Sequence, residues 1–234
     1  MSQDDVSYRW SRRARRLRID VSHARGAVVV VPQGTHAAVV DAFVEGRRDW
    51  IRRARARLAA EAAATVPADA LVVPECLELR ALGRSLPVEV IPAARARTQE
   101  IGGRLRVEGD TAPAAVRPRL AQWLKREAGR TLVPRLEALA AAHDLPYQRA
   151  SVRGQRTRWA SCSGRGTISI NFRLLFLPHE LVDHVLLHEL AHTRHLDHSQ
   201  RFWRLLARLD PAWRDHHQQL RRAREWIPAW VEMD

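Results

Sequence analysis

Cysteine is scarce: only Cys76 and Cys162 occur among 234 residues. Two thiols cannot build a disulfide framework, which argues against a small stapled secreted scaffold. Lysine is scarcer still, because Lys125 is the only one of 39 basic residues that is not arginine. No apolar run approaches the length needed to span a bilayer, so a membrane-spanning helix is not expected. The opening Met1-Ser2-Gln3-Asp4-Asp5 is polar rather than an apolar leader. These absences together predict a soluble, cytoplasmic protein with no membrane partner. No internal repeat is visible. A chain of this length buries a sizeable core without staples, as one large domain or two small ones.

What is present is charge of one sign. The 39 basic residues face 26 acidic ones, a formal net charge of +13. Guanidinium forks match phosphate and carboxylate geometry, so nucleic acid, acidic substrates and anionic surfaces are all candidate partners. The densest cluster is Arg9, Arg12, Arg13, Arg15, Arg16 and Arg18, with Tyr8 and Trp10 interleaved. Such a mixture can stack on and clamp nucleic acid, and it is equally what a solvated, arginine-biased surface looks like.

The chain changes character near residue 112, which predicts a β-rich module over 1–112 and a mainly helical domain over 113–234. In the first part, residues 17–21 and 27–31 read as strands and 36–63 as one helix. Short strands follow at 76–80, 86–91, 97–101 and 105–107, with turns at Gly83-Arg84 and Gly102-Gly103. In the second part, 115–142 reads as a long helix that Pro134 should kink or split. Two strands follow at 152–156 and 167–174, then helices over 178–192, 200–209 and 212–226. The fold class is therefore α+β.

The most informative stretch is His188-Glu189-Leu190-Ala191-His192, followed by Asp197-His198-Ser199. On a helix, residues four apart share a face, so His188 and His192 can point two imidazoles at one ion. Glu189 stands next to the first of them, where a carboxylate reaches a water on the metal. This HExxH arrangement is what a metal-dependent peptidase needs. Leu181, Val182, Val185, Leu186, Leu187 and Leu190 supply apolar helical positions around it.

A third ligand must come from nearby. His195 continues the stripe, but on an unbroken helix it lies about 10 Å along the axis from His188, at 1.5 Å per residue. One zinc ion, with bonds of about 2 Å, does not span that. His198 is better placed, because a turn before Ser199 can bring it back over the ion. The expected ligands are thus His188, His192 and His198, the ion zinc, and the general base Glu189. Asp197 is either an orienting partner of an imidazole or a turn residue. Asp197, Glu225 and Cys162 are the side chains available to close a four-ligand site. His184 is read as structural, His179 as surface, and His216 and His217 as part of a solvated helix. Arg158 and Tyr147 are candidate oxyanion donors without spacing to support them.

Around this motif stand Arg158-Trp159-Ala160-Ser161-Cys162-Ser163, Ile168-Ser169-Ile170-Asn171-Phe172-Arg173-Leu174, Pro178, and Phe202-Trp203. Together they resemble the YgjP-like metallopeptidase family, itself related to SprT-like and WLM zinc peptidases. The resemblance extends loosely to 13–19 and Trp50-Ile51, covering roughly 7–210. It implies a minimal zincin-like domain, a peptide or protein substrate, and strand 167–172 as the edge that pairs with substrate. Ala160 departs from the family's usual glycine, and His184 from a common tyrosine. Two other functions stay open: a metal-dependent hydrolase of a nucleotide or similar phosphate compound, and a non-enzymatic zinc-containing nucleic-acid-binding module.

Overall fold

The computed structural model describes residues 6–22, 26–63 and 72–232. Strands and helices both contribute, in an α+β arrangement. The chain forms two compact units, Met1–Val66 and Pro67–Asp234. The boundary expected near residue 112 therefore falls inside the second unit. There the strands before it and the helices after it share one core, joining Leu77, Leu86 and Leu105 to Leu120, Leu124, Leu186 and Leu190.

The first unit is a three-stranded sheet with two helices. Strands β1 (Val6–Ser11), β2 (Arg18–Ser22) and β3 (Gly26–Pro32) lie in the order β1-β3-β2. Strand β1 runs parallel to β3, and β2 antiparallel to it. Alternation on β3 sends Ala27, Val29 and Val31 into a core with Val40, Val44 and Ile51. Strand β1 was not expected, since five polar or aromatic residues in six hide the alternation. The single helix expected over 36–63 is two, α1 (Ala37–Glu45) and α2 (Arg48–Ala63). The break is at Gly46, the C-cap of α1, where a glycine loses the most backbone entropy by continuing a helix.

The second unit opens with a four-stranded sheet, β4 (Cys76–Leu79), β5 (Arg84–Pro92), β6 (Arg97–Ile101) and β7 (Arg104–Gly109), in the order β4-β5-β7-β6. Its two antiparallel hairpins turn at Gly83 and at Gly102-Gly103, all at positive φ, a region glycine enters without a Cβ penalty. Helix α3 (Pro113–Ala142) runs unbroken through Pro134. Buried Leu132 and Leu136 flank the proline, and their packing outweighs one missing hydrogen bond.

Strands β8 (Arg149–Arg153), β9 (Ala160–Cys162) and β10 (Thr167–Asn171) then form a sheet in the order β8-β10-β9. Strand β10 is central, parallel to β8 and antiparallel to β9. This corrects the expectation that 167–172 is a substrate-pairing edge, because its main-chain groups are committed on both sides. A 3-10 turn over Phe172–Phe176 buries all its side chains and leads to α4 (His179–Ala191). Helices α5 (Gln200–Leu209), α6 (Trp213–Leu220) and α7 (Ala229–Glu232) complete the unit. No helix among the described residues is long and apolar enough to cross a membrane.

Candidate metal centre

Helix α4 is anchored by its apolar face, with Leu181, Val182, Val185, Leu186, Leu187 and Leu190 all buried. His188 is half-buried toward the end of this buried helix, in line with Leu181 and Val185, and His192 is the C-cap residue one turn on. The helix stops there because the chain turns: Thr193, Arg194 and His195 bond back to Leu190 and Ala191. The turn carries His198 back over α4, and α5 starts after Ser199. Hence the ring nitrogens of His188, His192 and His198 lie within 4.8 Å of one another, and the Nε2 atoms of His188 and His198 are 3.2 Å apart.

The rings are oriented by their surroundings. His192 Nδ1 is 2.9 Å from the carbonyl of His195, an acceptor, so this nitrogen carries the proton and leaves the Nε2 lone pair free. His195 contributes that carbonyl, and its ring lies outside the cluster. Phe202, fully buried, is the floor: its ring centroid lies 4.9, 4.6 and 4.8 Å from those of His188, His192 and His198. Trp203 stacks on His198 at 5.6 Å and on Trp213 at 4.8 Å. Both aromatics pack against the imidazoles of the site. Burial, and then the neighbouring imidazoles, push His188 down to about 3, so it is neutral near neutrality. Burial lowers His192 as well. Three imidazoles, one with its tautomer fixed by a carbonyl, are the donor set that zinc takes, so the residues fit such an ion.

Glu189 is buried beside this cluster. Burial pushes its carboxyl up to about 7, against a hydrogen bond from the Cys162 N–H and the charge of Arg158. The Cys162 bond locates β9. Ser163 N–H donates to Thr167 and Asn171 N–H donates to Trp159, both at 2.9 Å. In an antiparallel ladder the bonded pairs alternate, so the main-chain groups of Ala160 and Cys162 point away from β10. The sheet edge beside Glu189 is therefore β9, three residues too short to show in the sequence pattern.

The remaining candidates stand apart. Among the described residues, no Cys, Asp or Glu joins the three histidines within that distance. Asp197 accepts from Ser199 in the turn. Glu225 pairs with Arg222 at 3.1 Å on the surface. Tyr147 lines a separate cavity with Glu137 and Leu145. Arg158 acts on Glu189 by charge. Asn171, fully buried, donates to the carbonyls of Gln155 and Arg158 at 2.7 and 2.9 Å and caps the 3-10 turn, so it holds the loop before β9. His179 is exposed, paired with Glu180.

Sequence reasoning missed a second cluster. His184 Nδ1 and His216 Nδ1 approach the same oxygen of Asp210, at 2.6 and 2.9 Å. His216 and His217 are half-buried against His184, and not on a solvated helix as expected. The one available signal was Asp210 itself, a helix-capping residue type just before α6.

No curated protein matches the chain. Among solved structures, the metallopeptidase zymogen of Pyrococcus abyssi abylysin is similar, at 24% identity and a TM-score of 0.36. The likeness covers 38% of this chain and 91% of that one. A profile described as YgjP-like, metallopeptidase domain matches residues 15–223, nearly the whole chain. The chain belongs to the YgjP-like metallopeptidase domain family.

Proposed function

We propose that this chain is a zinc-dependent peptidase, with His188, His192 and His198 as the ligands of its ion and Glu189 as its general base. One observation carries the reading: three imidazoles, His188 and His192 at the end of the helix that also bears a buried carboxylate and His198 from the turn after it, present ring nitrogens within 4.8 Å of one another. When bound, zinc supplies Lewis acidity, which brings a water's pKa to roughly 7 and polarises a carbonyl.

The chain's own groups do the rest. Glu189, held by the Cys162 N–H, takes the proton of the attacking water and returns it to the leaving nitrogen. The outward carbonyls and the Ala160 N–H on β9 offer main-chain bonds to an extended peptide, whose alignment along that edge brings its scissile bond to the site. A peptide or protein substrate fits such an edge better than a nucleotide does. The absence of a fourth Cys, Asp or Glu donor among the described residues favours an open site over a closed structural one. Cys76 and Cys162 as free thiols accord with a cytoplasmic location.

The test is cleavage of an unfolded protein, read by mass spectrometry, with nucleotide hydrolysis assayed alongside. Glu189→Ala should keep its zinc and lose cleavage by roughly 10²–10⁴-fold. Undiminished cleavage in that variant rules Glu189 out as the base. Nucleotide turnover without peptide cleavage rejects the peptidase reading.

A further inference from the structure

The first unit holds thirteen arginines against seven acidic residues over 1–66. Its sheet sorts part of that charge. Arg9 and Arg18 both pair in register with Val30, so the three form one row across β1-β3-β2. This row lies on the face opposite Val29 and Val31, which are in the core. Val30 is nonetheless only 4% exposed. The segment between β1 and β2 passes over that end of β3, and a groove of about 630 Å³ opens there. Arg9, Arg13, Arg15, Arg16 and Arg18 line it, with Val30 beneath.

The arginines are not equally occupied. Asp20 takes Arg18 at 2.9 Å and Arg9 more loosely at 3.9 Å. Arg12 donates to Gln33. The guanidinium groups of Arg13, Arg15 and Arg16 have no hydrogen-bond or ion-pair partner among the described residues. The start of their segment is held, because Ser11 Oγ accepts from the Arg13 and Ala14 N–H groups at 3.3 and 3.2 Å. Three like charges lining one groove without a counter-charge among the described residues repel one another, and a polyanion relieves that.

The aromatic residues take the other side of the same strand. Tyr8 and Trp10 pair in register with Val29 and Val31, and are 49% and 56% exposed. Strand β1 is a sheet edge. A ligand following it meets guanidinium groups on one side and ring faces on the other.

We propose that this groove binds the phosphodiester backbone of single-stranded nucleic acid, with Tyr8 and Trp10 stacking its bases along the outer edge of β1. Repeated guanidinium groups suit successive phosphates, and rings suit bases that are free to stack. Duplex bases are already stacked, and the acidic side chains of a peptide carry no rings to stack on these aromatics. A concave groove does not fit a flat lipid surface. No amide side chain lines the groove among the described residues, and Gln33 after β3 is engaged by Arg12, so recognition is of backbone and stacking rather than of sequence.

The groove shares no residue with the metal centre, and its test needs no zinc-dependent readout. Binding of a labelled oligothymidylate to the full chain is followed by fluorescence anisotropy between about 50 and about 200 mM salt. The triple change Arg13→Gln, Arg15→Gln, Arg16→Gln should weaken binding about tenfold or more at the lower salt. It should also flatten the log–log salt slope by about 2, at about 0.7 per lost phosphate contact. Tyr8→Ala with Trp10→Ala should weaken single-strand binding while sparing weak duplex binding. All five positions are exposed, so circular dichroism and zinc content should stay at wild-type values. Three results would each overturn the proposal: no binding by wild type, wild-type binding by the triple variant, or tighter binding of oligoglutamate or phosphatidylserine vesicles than of the oligonucleotide.

Discussion

Asp210 and His184 are 26 residues apart in sequence, yet their side chains meet at 2.6 Å in the interior. The same carboxylate oxygen meets His216 at 2.9 Å, and the other accepts the Ala212 N–H at 3.1 Å. One buried carboxylate thus ties α4 to the start and body of α6. The position of α4 is also the position of His188 and His192.

Truncating Asp210 leaves His184 buried with an unsatisfied donor. Burial lowers the pKa of His184, so losing its acceptor means losing a charge-assisted hydrogen bond to a neutral imidazole. Asp210→Ala should destabilise the chain by about 3 kcal/mol, from that bond and the lost acceptors of the His216 ring and the Ala212 N–H. The thermal midpoint should fall by roughly 6–12 °C. A melt within a degree of wild type would show that α4 and α6 hold together without this link.

His198 and His195 make a sharper comparison. Only the carbonyl of His195 takes part, as the acceptor for His192. His195→Ala keeps that carbonyl and should retain about one zinc per chain by elemental analysis. His198→Ala should retain little, since the ring itself is lost. The reverse result would overturn the proposed ligand set.

How much of this was legible in the sequence follows from distance along the chain. The His188–His192 spacing is a property of one helix, and the return of His198 needs only the turn before Ser199. Both are local, so residue spacing suffices to anticipate them. The Asp210–His184–His216 link requires α6 to fold back on α4, and no local pattern encodes that. The position of β10 was hidden for the same reason. Its centrality depends on β8, paired in parallel from eighteen residues away, and on a three-residue β9. Pro134 is the opposite case. A proline locally favours a break, but the buried neighbours Leu132 and Leu136 overrule it.

Phe202 is the common support of the three imidazoles, with all three ring contacts under 5 Å. Phe202→Leu keeps most of the buried volume but removes the flat surface on which His192 stacks. Metal affinity should drop about tenfold, by analogy with other residues that orient ligands, while the fold persists at a cost of about 1 kcal/mol. Competition with a chromogenic zinc chelator measures the first quantity and a thermal melt the second. Unchanged affinity would mean that the turn alone orients the rings.

Cys162 sits at the edge beside Glu189, and its thiol is pushed up to about 11, first by burial and then by the Glu189 charge. Thiolate is the reactive form, so alkylation tracks its small population. In a Cys76→Ser background, which leaves one thiol, the iodoacetamide rate should rise about tenfold per pH unit from about pH 8 to about pH 10, without levelling. The sign follows from the cause: both influences disfavour the anion, so the thiol stays protonated and inert through neutrality. Glu189→Gln removes the smaller influence and should raise the rate at fixed pH modestly, leaving the steep rise intact. A rate that levels off by about pH 9 would place Cys162 in open solvent, and would remove the close packing of β9 against Glu189 on which the peptide-binding edge depends.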